Sequence, residues 1–183
     1  MYKHAVAFFQ RCLSRITVIL VALVTLVPAA RAQTDANYTI HANIIYHFTK
    51  YIAWPGNKKS GDFIIGVIGD NAIYDELKSN VEGKKAGNQK IVIRRFPSVA
   101  MQYNCHILFI GDEESGDIRK ITAKTANTPV LLVSESEGLA KKGACINFIV
   151  VDDRLQLEIN KNNIEGRGLD IASELLQLGK IIK

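Results

Sequence analysis

The stretch Tyr38-Thr-Ile-His-Ala-Asn-Ile-Ile-Tyr-His-Phe-Thr-Lys-Tyr-Ile-Ala-Trp-Pro55 is the segment around which the rest of the chain is organised. Apolar side chains recur in it at spacings of three and four, the period of an amphipathic helix; they are Ile40, Ile44, Ile45, Phe48, Tyr51 and Ile52. Asn37 or Thr39 is the expected cap, because their side-chain oxygens accept hydrogen bonds from the unpaired N–H groups of a first turn. Pro55 disfavours helical geometry at Trp54, so the helix is predicted to end there. The broad apolar face predicts that the domain packs against this helix.

The first 32 residues have the pattern of a secretory signal peptide. A basic start precedes the uncharged, mostly apolar run 16–27; its basic residues are Lys3, Arg11 and Arg15. Ala30-Arg31-Ala32 fits the small-x-small cleavage pattern, so Gln33 is the predicted mature N-terminus. The apolar run is shorter than the roughly 20 residues of a membrane-spanning helix, so a retained anchor is the less favoured alternative. The sequence therefore predicts an exported protein that does not span the membrane after processing.

Removing the leader changes the charge balance of the chain. The full sequence has 23 Lys and Arg against 18 Asp and Glu, and the leader holds four of the basic residues and no acidic one. The mature chain therefore carries a net charge of only +1, and the basic isoelectric point does not indicate a nucleic-acid-binding surface. A chain of this size buries roughly 70% of its unfolded surface. The predicted organisation is a leader at 1–32 and one domain at 33–183.

Strands that alternate with helices predict the fold class. Continuous apolar runs predict buried strands at 63–69, 91–93, 105–111 and 128–134, with a helix at 72–81 between the first two. The segments 145–151 and 155–160 predict an antiparallel hairpin, because apolar and polar residues alternate in the second. Leu169–Ile182 is predicted to be a terminal helix. The expected fold is an α/β three-layer sandwich with a mostly parallel sheet, flavodoxin-like or Rossmann-like, ending in the hairpin and the C-terminal helix.

Motifs that carry catalysis or bind cofactors are missing from the sequence. No Gly-x-Gly-x-x-Gly follows the first strand, and neither a phosphate loop nor a Gly-x-Ser-x-Gly elbow occurs. His41 and His47 are six residues apart and lie on different faces of a helix, so they are poor joint metal ligands. Cys105 and His106 are adjacent and point to opposite faces of a strand. The sequence therefore predicts no enzyme, no cofactor and no metal site, and each histidine is interpreted as a surface or hydrogen-bonded residue.

Polar residues follow three of the predicted strands. Asp70 and Asn71 follow the first, Asp112 the third, and Ser134 and Glu135 the fourth. In open α/β sheets the carboxyl ends of the strands face a ligand crevice, so these side chains are a candidate small-molecule site. Helix caps and solvated loops are the favoured interpretation, because no motif joins them.

The end of the opening helix, His47-Phe-Thr-Lys-Tyr-Ile-Ala-Trp-Pro55, resembles the opening signature of the YfiR family of small secreted bacterial proteins, which carry a DUF4154-type domain. Later stretches resemble the family in the same order; they are 63–69, 105–110, 129–134, 143–150, 157–160 and 168–178. The signature residues, interpreted as mainly structural, are Phe48, Lys50, Tyr51, Trp54, Pro55, Cys105, His106, Asn147, Asn160, Leu169, Ser173, Leu175 and Leu176. Trp54 is either a core residue, which we favour, or an exposed anchor for a partner.

The resemblance implies a function. Well-known members of the family are periplasmic regulators that bind the periplasmic part of an inner-membrane diguanylate cyclase and hold it inactive. Their release raises cyclic di-GMP and favours biofilm. The chain is therefore expected to be a periplasmic regulatory binding protein that controls an inner-membrane diguanylate cyclase or sensor kinase by protein–protein contact. A periplasmic small-molecule-binding sensor module is the alternative, an enzyme is a third reading, and a homodimer stays open.

The cysteines depart from the family pattern. The family often has a Cys near the position of Gly66 as partner for the Cys of the Cys-His strand, and Cys105 lacks that partner here. Cys145 stands where other members carry Met or another apolar residue. Cys105 and Cys145 each stand at the start of a predicted strand, and the 129–134 strand is expected to lie between these two strands. Strands separated by one other strand are about 9.6 Å apart. A disulfide needs Cα atoms closer than about 7 Å, so Cys105 and Cys145 are predicted to be buried free thiols unless the strand order differs.

Overall fold

The structure is a computed structural model that describes residues 28–69 and 71–183, with side chains described from Tyr38 onward except that of Asn71. The predicted leader therefore lies mostly outside the described residues, and so does Asp70. The chain divides into a unit at 1–37 and a compact unit at 38–183, and the fold given below is that of the second. In the part of the chain that the structure describes, no helix has the length and apolar character needed to cross a membrane.

Helix α1 spans Pro28–Tyr51 and confirms the predicted helix, but with different ends. Because it begins at Pro28, neither Asn37 nor Thr39 is its cap; proline suits a first helical position, where no backbone N–H is needed. Thr39 Oγ1 instead donates a hydrogen bond to the carboxylate of Glu76 at 3.0 Å. Beyond Tyr38, the helix buries one face against the sheet, through residues such as Ile45 and Phe48.

The remaining elements have the following bounds. Strand β1 is Ile52–Ala53, β2 Phe63–Ile68, β3 Lys85–Ala86, β4 Gln89–Arg95, β5 Ile107–Ile110, β6 Leu131–Ser134, β7 Ile146–Val151, β8 Arg154–Ile159, β9 Asp170–Ile171 and β10 Lys180–Ile181. Helix α2 is Asn71–Asn80, α3 Ile118–Thr125, α4 Lys161–Glu165 and α5 Ser173–Leu176. Short 3-10 helices lie at Gly56–Lys58, Asp112–Asp117 and Leu139–Lys142. The described strands form an eight-stranded sheet in the order β10-β8-β7-β6-β5-β2-β4-β3 and a two-stranded sheet of β1 and β9.

The prediction of a mostly parallel sheet needs correction, because the large sheet is mixed. Strands β4, β2, β5, β6 and β7 are parallel neighbours, whereas β3 pairs with β4, and β7 with β8, in antiparallel fashion. Asp152 and Asp153 make the β7–β8 turn with φ of 50° and 58°, the left-handed backbone that a two-residue hairpin turn requires. The order of the five parallel strands is that of flavodoxin-type sheets. The layered, Rossmann-like arrangement stays a prediction.

The prediction of a terminal helix over Leu169–Ile182 is wrong. Strand β9 pairs with β1, α5 has only four residues, and β10 runs parallel to β8. A Cβ atom on Gly179 would lie 2.7 Å from the Ile159 side chain and 2.9 Å from the carbonyl oxygen of Leu157. The backbone at Gly179 therefore lies directly against β8, which a helix covered by side chains does not allow.

Candidate functional site

The Trp-Pro and Cys-His signatures meet in one buried cluster at the amino ends of β2 and β5. The ring centroids of His106 and Phe63 are 4.3 Å apart with their planes at 20°, and Trp54 packs edge-on against Phe63 at 4.9 Å. The indole Nε1 of Trp54 donates a hydrogen bond to the carbonyl oxygen of His106 at 3.3 Å. Trp54 is buried, in agreement with its interpretation as a core residue.

The hydrogen bonds of His106 define the protonation state of its ring. The backbone N–H of Ile64 donates to Nδ1 at 3.0 Å, so Nδ1 is an acceptor and carries no proton. Nε2 lies 2.9 Å from the carbonyl oxygen of Lys58, so Nε2 carries the proton and donates. The ring is therefore neutral. Burial lowers the pKa of His106 from its ordinary value, and the nearby Lys58 ammonium lowers it further.

This cluster is built for structure rather than for nucleophilic chemistry. Both ring nitrogens of His106 are engaged by the backbone, which leaves neither to act as a base toward Cys105. The Cys105 thiol is buried, contacts the carbonyl oxygen of Tyr103 at 3.7 Å, and has its pKa raised by burial to about 12. Among the residues described, no group of three or more His, Cys, Asp or Glu side chains is placed to hold a metal ion.

Cys105 and Cys145 are both free and buried in the structure. Strand β6 lies between the strands that they precede, because Leu131 N–H donates to the carbonyl of His106 and Cys145 N–H donates to the carbonyl of Leu132. The predicted order of these three strands, with β6 between β5 and β7, is therefore correct. Whether the thiols stay unpaired in solution remains a prediction.

The backbone at Gly66 leaves little room for a side chain, including the cysteine that the family resemblance implies near this position. A Cβ atom on Gly66 would lie 2.7 Å from the Phe96 ring and 3.0 Å from the Leu108 side chain. Gly66 pairs with Leu108, three residues along from Cys105. The aromatic ring of Phe96 therefore packs directly over the strand at Gly66.

The signature residue Asn147 belongs to a polar ladder that crosses three neighbouring strands. Ser134 on β6 donates from its hydroxyl to Asn147 Oδ1 at 2.6 Å, and Asn147 Nδ2 on β7 donates to the carboxylate of Glu158 on β8 at 3.1 Å. These residues are direct partners in the strand register, and both Ser134 and Asn147 are fully buried. The ladder therefore fixes the register of β6, β7 and β8 in an otherwise apolar sheet.

The signature residue Asn160 joins the end of β8 to helix α4. Its Oδ1 accepts the backbone N–H of Asn163 at 3.1 Å, and its Nδ2 donates to the carbonyl of Ala140 at 3.0 Å. Asn160 therefore caps α4 and holds the 3-10 helix beside it.

The other signature residues divide by exposure: Phe48, Leu169 and Leu175 are buried, Tyr51, Pro55 and Leu176 are half-buried, and Lys50 and Ser173 are exposed.

Two residues of the candidate ligand crevice are brought together, but they bond to the chain itself. Glu135 Oε1 accepts the phenol O–H of Tyr38 at 3.1 Å and the backbone N–H of Asp112 at 3.2 Å, and the Ser136 hydroxyl donates to the Asp112 carboxylate. The Ser134 hydroxyl points to Asn147 instead. Asp70 and the Asn71 side chain lie outside the described part of this edge. The contribution of Tyr38 had no signal in the sequence.

The sequence also did not predict an apolar groove of about 350 Å³ between α1, β8 and the C-terminal segment. Its lining residues are Ile44, His47, Phe48, Tyr51, Leu155, Gln156, Leu157, Leu175 and Leu178. Phe48, Leu157 and Leu175 are buried, whereas Leu178 is 67% exposed. We call this the apolar groove.

A polar-rimmed groove of about 320 Å³ lies beside Trp54 and includes Thr49, Lys59 and Gln89; we call it the tryptophan groove.

The buried signature and the apolar groove together define a class: a small mixed α/β domain with a structural signature inside and an apolar groove at its surface. A family model described as YfiR/HmsC-like (DUF4154) matches residues 38–180. The chain belongs to this family, and the resemblance seen in the sequence is confirmed. A search of curated proteins finds no match. The family is periplasmic, regulatory and non-catalytic, and its domain suggests a role in cyclic di-GMP signalling with a membrane protein as partner.

Proposed function

We propose that the chain is a periplasmic binding protein that controls an inner-membrane diguanylate cyclase or sensor kinase by direct contact. It reaches the periplasm through its cleavable leader and carries out no catalysis itself. Membership of the YfiR/HmsC-like family over 38–180 supports this function. The buried, backbone-engaged state of Cys105 and His106 is consistent with it, because the most reactive residue types of the signature serve the fold.

The observation that carries the proposal is the apolar groove with its exposed surroundings. Large apolar side chains that a monomer would normally bury are exposed near its two walls: Ile40 on α1 is 49% exposed and Leu178 is 67% exposed. Val150, on the face of the hairpin that also carries Leu155 and Leu157, is 68% exposed. Exposed apolar side chains beside an apolar groove are the kind of surface that marks a contact site. The occupant is a periplasmic segment of the membrane partner that inserts an apolar side chain between α1 and β8.

The alternative function is a small-molecule-binding sensor module, and the tryptophan groove is the observation that favours it. Trp54 and Phe63 give this groove an aromatic wall, and Lys59, Asn88 and Gln89 give it a polar rim. Such a combination suits a small ligand with a flat apolar part. A ligand retained on purification, or one that changes the fluorescence of Trp54, would favour this function over control by contact.

The contact function is tested by Leu178→Asp in cells that lack the native protein. Because Leu178 is exposed, the substitution should change the free energy of unfolding by less than about 0.5 kcal/mol. The wild type should lower cellular cyclic di-GMP, and Leu178→Asp should fail to do so at equal abundance. Met101→Asp is the matched control, since Met101 is 95% exposed and lies outside the groove. Full activity of Leu178→Asp would exclude the apolar groove as the contact site.

A further inference from the structure

We propose that His106 is a proton-sensitive latch: its neutral ring helps to fasten the segment after Trp54-Pro55 to the sheet, and protonation of the ring loosens that segment. This inference concerns the fold itself and does not depend on which partner the protein binds. It is carried by the geometry of the ring and by the chemistry of the groups around it.

The neutral ring joins the start of strand β2 to the 3-10 helix Gly56–Lys58 through one hydrogen bond to each. Nδ1 holds the backbone N–H of Ile64 at the start of β2, and Nε2–H holds the carbonyl of Lys58 in the 3-10 helix Gly56–Lys58. The same Lys58 carbonyl accepts a second hydrogen bond, from Gln89 Nε2 of β4 at 3.0 Å. His106 is thus one of three side chains, together with Gln89 and Lys58, that tie the loop after the Trp-Pro signature to the sheet.

Protonation is incompatible with this arrangement. A proton on Nδ1 would face the N–H of Ile64, so two donors would point at each other and a buried N–H would lose its partner. The new charge would also be buried, since His106 is 5% exposed. The ring must therefore turn or leave its site, and either movement gives up the Lys58 carbonyl.

The charged neighbours oppose protonation as well. Lys58 brings its ammonium to the Cys105 carbonyl at 3.0 Å, beside the ring. The Cys105 thiol is neutral, and the other groups that face the ring, from Trp54, Phe63 and Ile64, do not titrate in this range. Among the residues whose side chains the structure describes, no carboxylate forms a hydrogen bond or an ion pair with the ring. A protonated ring thus has no counter-charge that would keep it in place.

The release is local. The pairing of β2 with β4 and β5 rests on backbone hydrogen bonds, which stay formed when the ring moves. The surroundings of Trp54 change, because its indole packs edge-on against the His106 ring itself, with the ring centroids 6.1 Å apart. Lys59 and Gln89 line the tryptophan groove with Trp54, so release changes the shape of that groove.

Trp54 is the only tryptophan in the chain and reports on the latch. The experiment follows its fluorescence in the purified protein, without a polyhistidine tag, from about pH 7.5 to about pH 4.5, a range in which histidine titrates. We expect a reversible red shift with a midpoint below 6.5, the ordinary value of the His106 pKa. His106→Gln should abolish the shift, whereas His41→Gln and His47→Gln should keep it. A shift that persists in His106→Gln overturns the proposal.

A second measurement on the wild type makes the test independent of how His106→Gln folds. Long-range proton–nitrogen NMR should show Nδ1 without a proton and Nε2 with one at neutral pH. Both nitrogens should carry protons below the fluorescence midpoint, while far-UV circular dichroism stays unchanged. Protonation of His106 without any change at Trp54 overturns the latch, and so does loss of circular dichroism at the same midpoint, which would mean global unfolding.

Discussion

At the scale of single residues, the polar members of the signature act through the hydrogen bonds that they complete inside an apolar sheet. Asn147 has no solvent exposure, and its amide is placed between a hydroxyl on one side and a carboxylate on the other. A buried polar group is stabilising only when its partners are present, and removing one partner leaves the others unsatisfied. Such residues are therefore better understood as determinants of strand register than as a binding site.

Asn147→Ala should lower the free energy of unfolding by about 1–3 kcal/mol, because the Ser134 hydroxyl loses its acceptor and Glu158 loses a donor. Urea denaturation measures the change. Gln156→Ala on the adjacent strand is the control, since Gln156 is exposed and its replacement should have an effect below about 0.5 kcal/mol. Equal stability of the two variants would mean that the ladder does not stabilise the fold.

The His106 ring makes the stability of the protein depend on pH. Its pKa in the folded protein lies below the ordinary value of 6.5, because burial disfavours the charged form. The unfolded chain therefore binds the proton more readily, and the folded state loses stability as pH falls below 6.5 toward the lowered pKa, by at most about 1.4 kcal/mol per pH unit. Urea denaturation at several pH values should show this slope in the wild type and a smaller slope in His106→Gln. An unchanged slope would contradict the assignment.

The two buried thiols should be chemically silent in the folded protein. Burial raises the pKa of both Cys105 and Cys145, so little thiolate is available to react. A thiol reagent should therefore label neither residue under native conditions and label both in denatured, unreduced protein. Peptide mapping assigns the label to each cysteine. Denatured protein in which Cys105 and Cys145 stay unlabelled until a reductant is added would show a disulfide instead.

At the scale of elements, the accuracy of the sequence-based predictions follows from how local each signal is. The opening helix was predicted because its apolar spacing and the following proline lie within one stretch, but its end was placed at Trp54, three residues beyond the observed end at Tyr51. The C-terminal segment was wrongly predicted as a helix, because Leu175 and Ile182 have helical spacing although Leu175 lies in the short helix α5 and Ile182 follows strand β10. The close approach of Gly179 to β8 that breaks the helix is a tertiary contact between residues 20 apart in sequence, and no local pattern reports it.

Gly179→Ala should displace β10 from β8. The added Cβ would meet the side chain of Ile159 and the carbonyl of Leu157, and overpacking of this kind lowers the free energy of unfolding by about 1–3 kcal/mol. Gly116→Ala is the matched control, because a Cβ there meets nothing within 4 Å. Faster hydrogen exchange at Ile182, whose N–H donates to the carbonyl of Ile159, would locate the change. Equal stability of both variants would argue against close packing at Gly179.

At the scale of the whole molecule, the fold brings together surfaces that no stretch of sequence shows. The apolar groove joins Ile44 and Tyr51 on α1 to Leu155 and Leu178, which lie more than 100 residues away along the chain. The candidate crevice was predicted from strand ends; Asp112 and Glu135 meet there, and their use as a ligand site stays a prediction. One of its internal hydrogen bonds, by contrast, comes from Tyr38, whose position is set by the packing of α1.

The central claim, control of an inner-membrane enzyme through the apolar groove, is tested most directly by site-specific photocrosslinking in intact cells. A photoreactive residue at position 178 should capture an inner-membrane cyclase or kinase with a periplasmic domain, identified by mass spectrometry. The same residue at position 101, which is also apolar in the native chain and is 95% exposed but lies outside the groove, should not capture it. Capture from both positions alike, or from neither under conditions where the signal is off, would contradict the claim and favour a free-standing ligand-binding module.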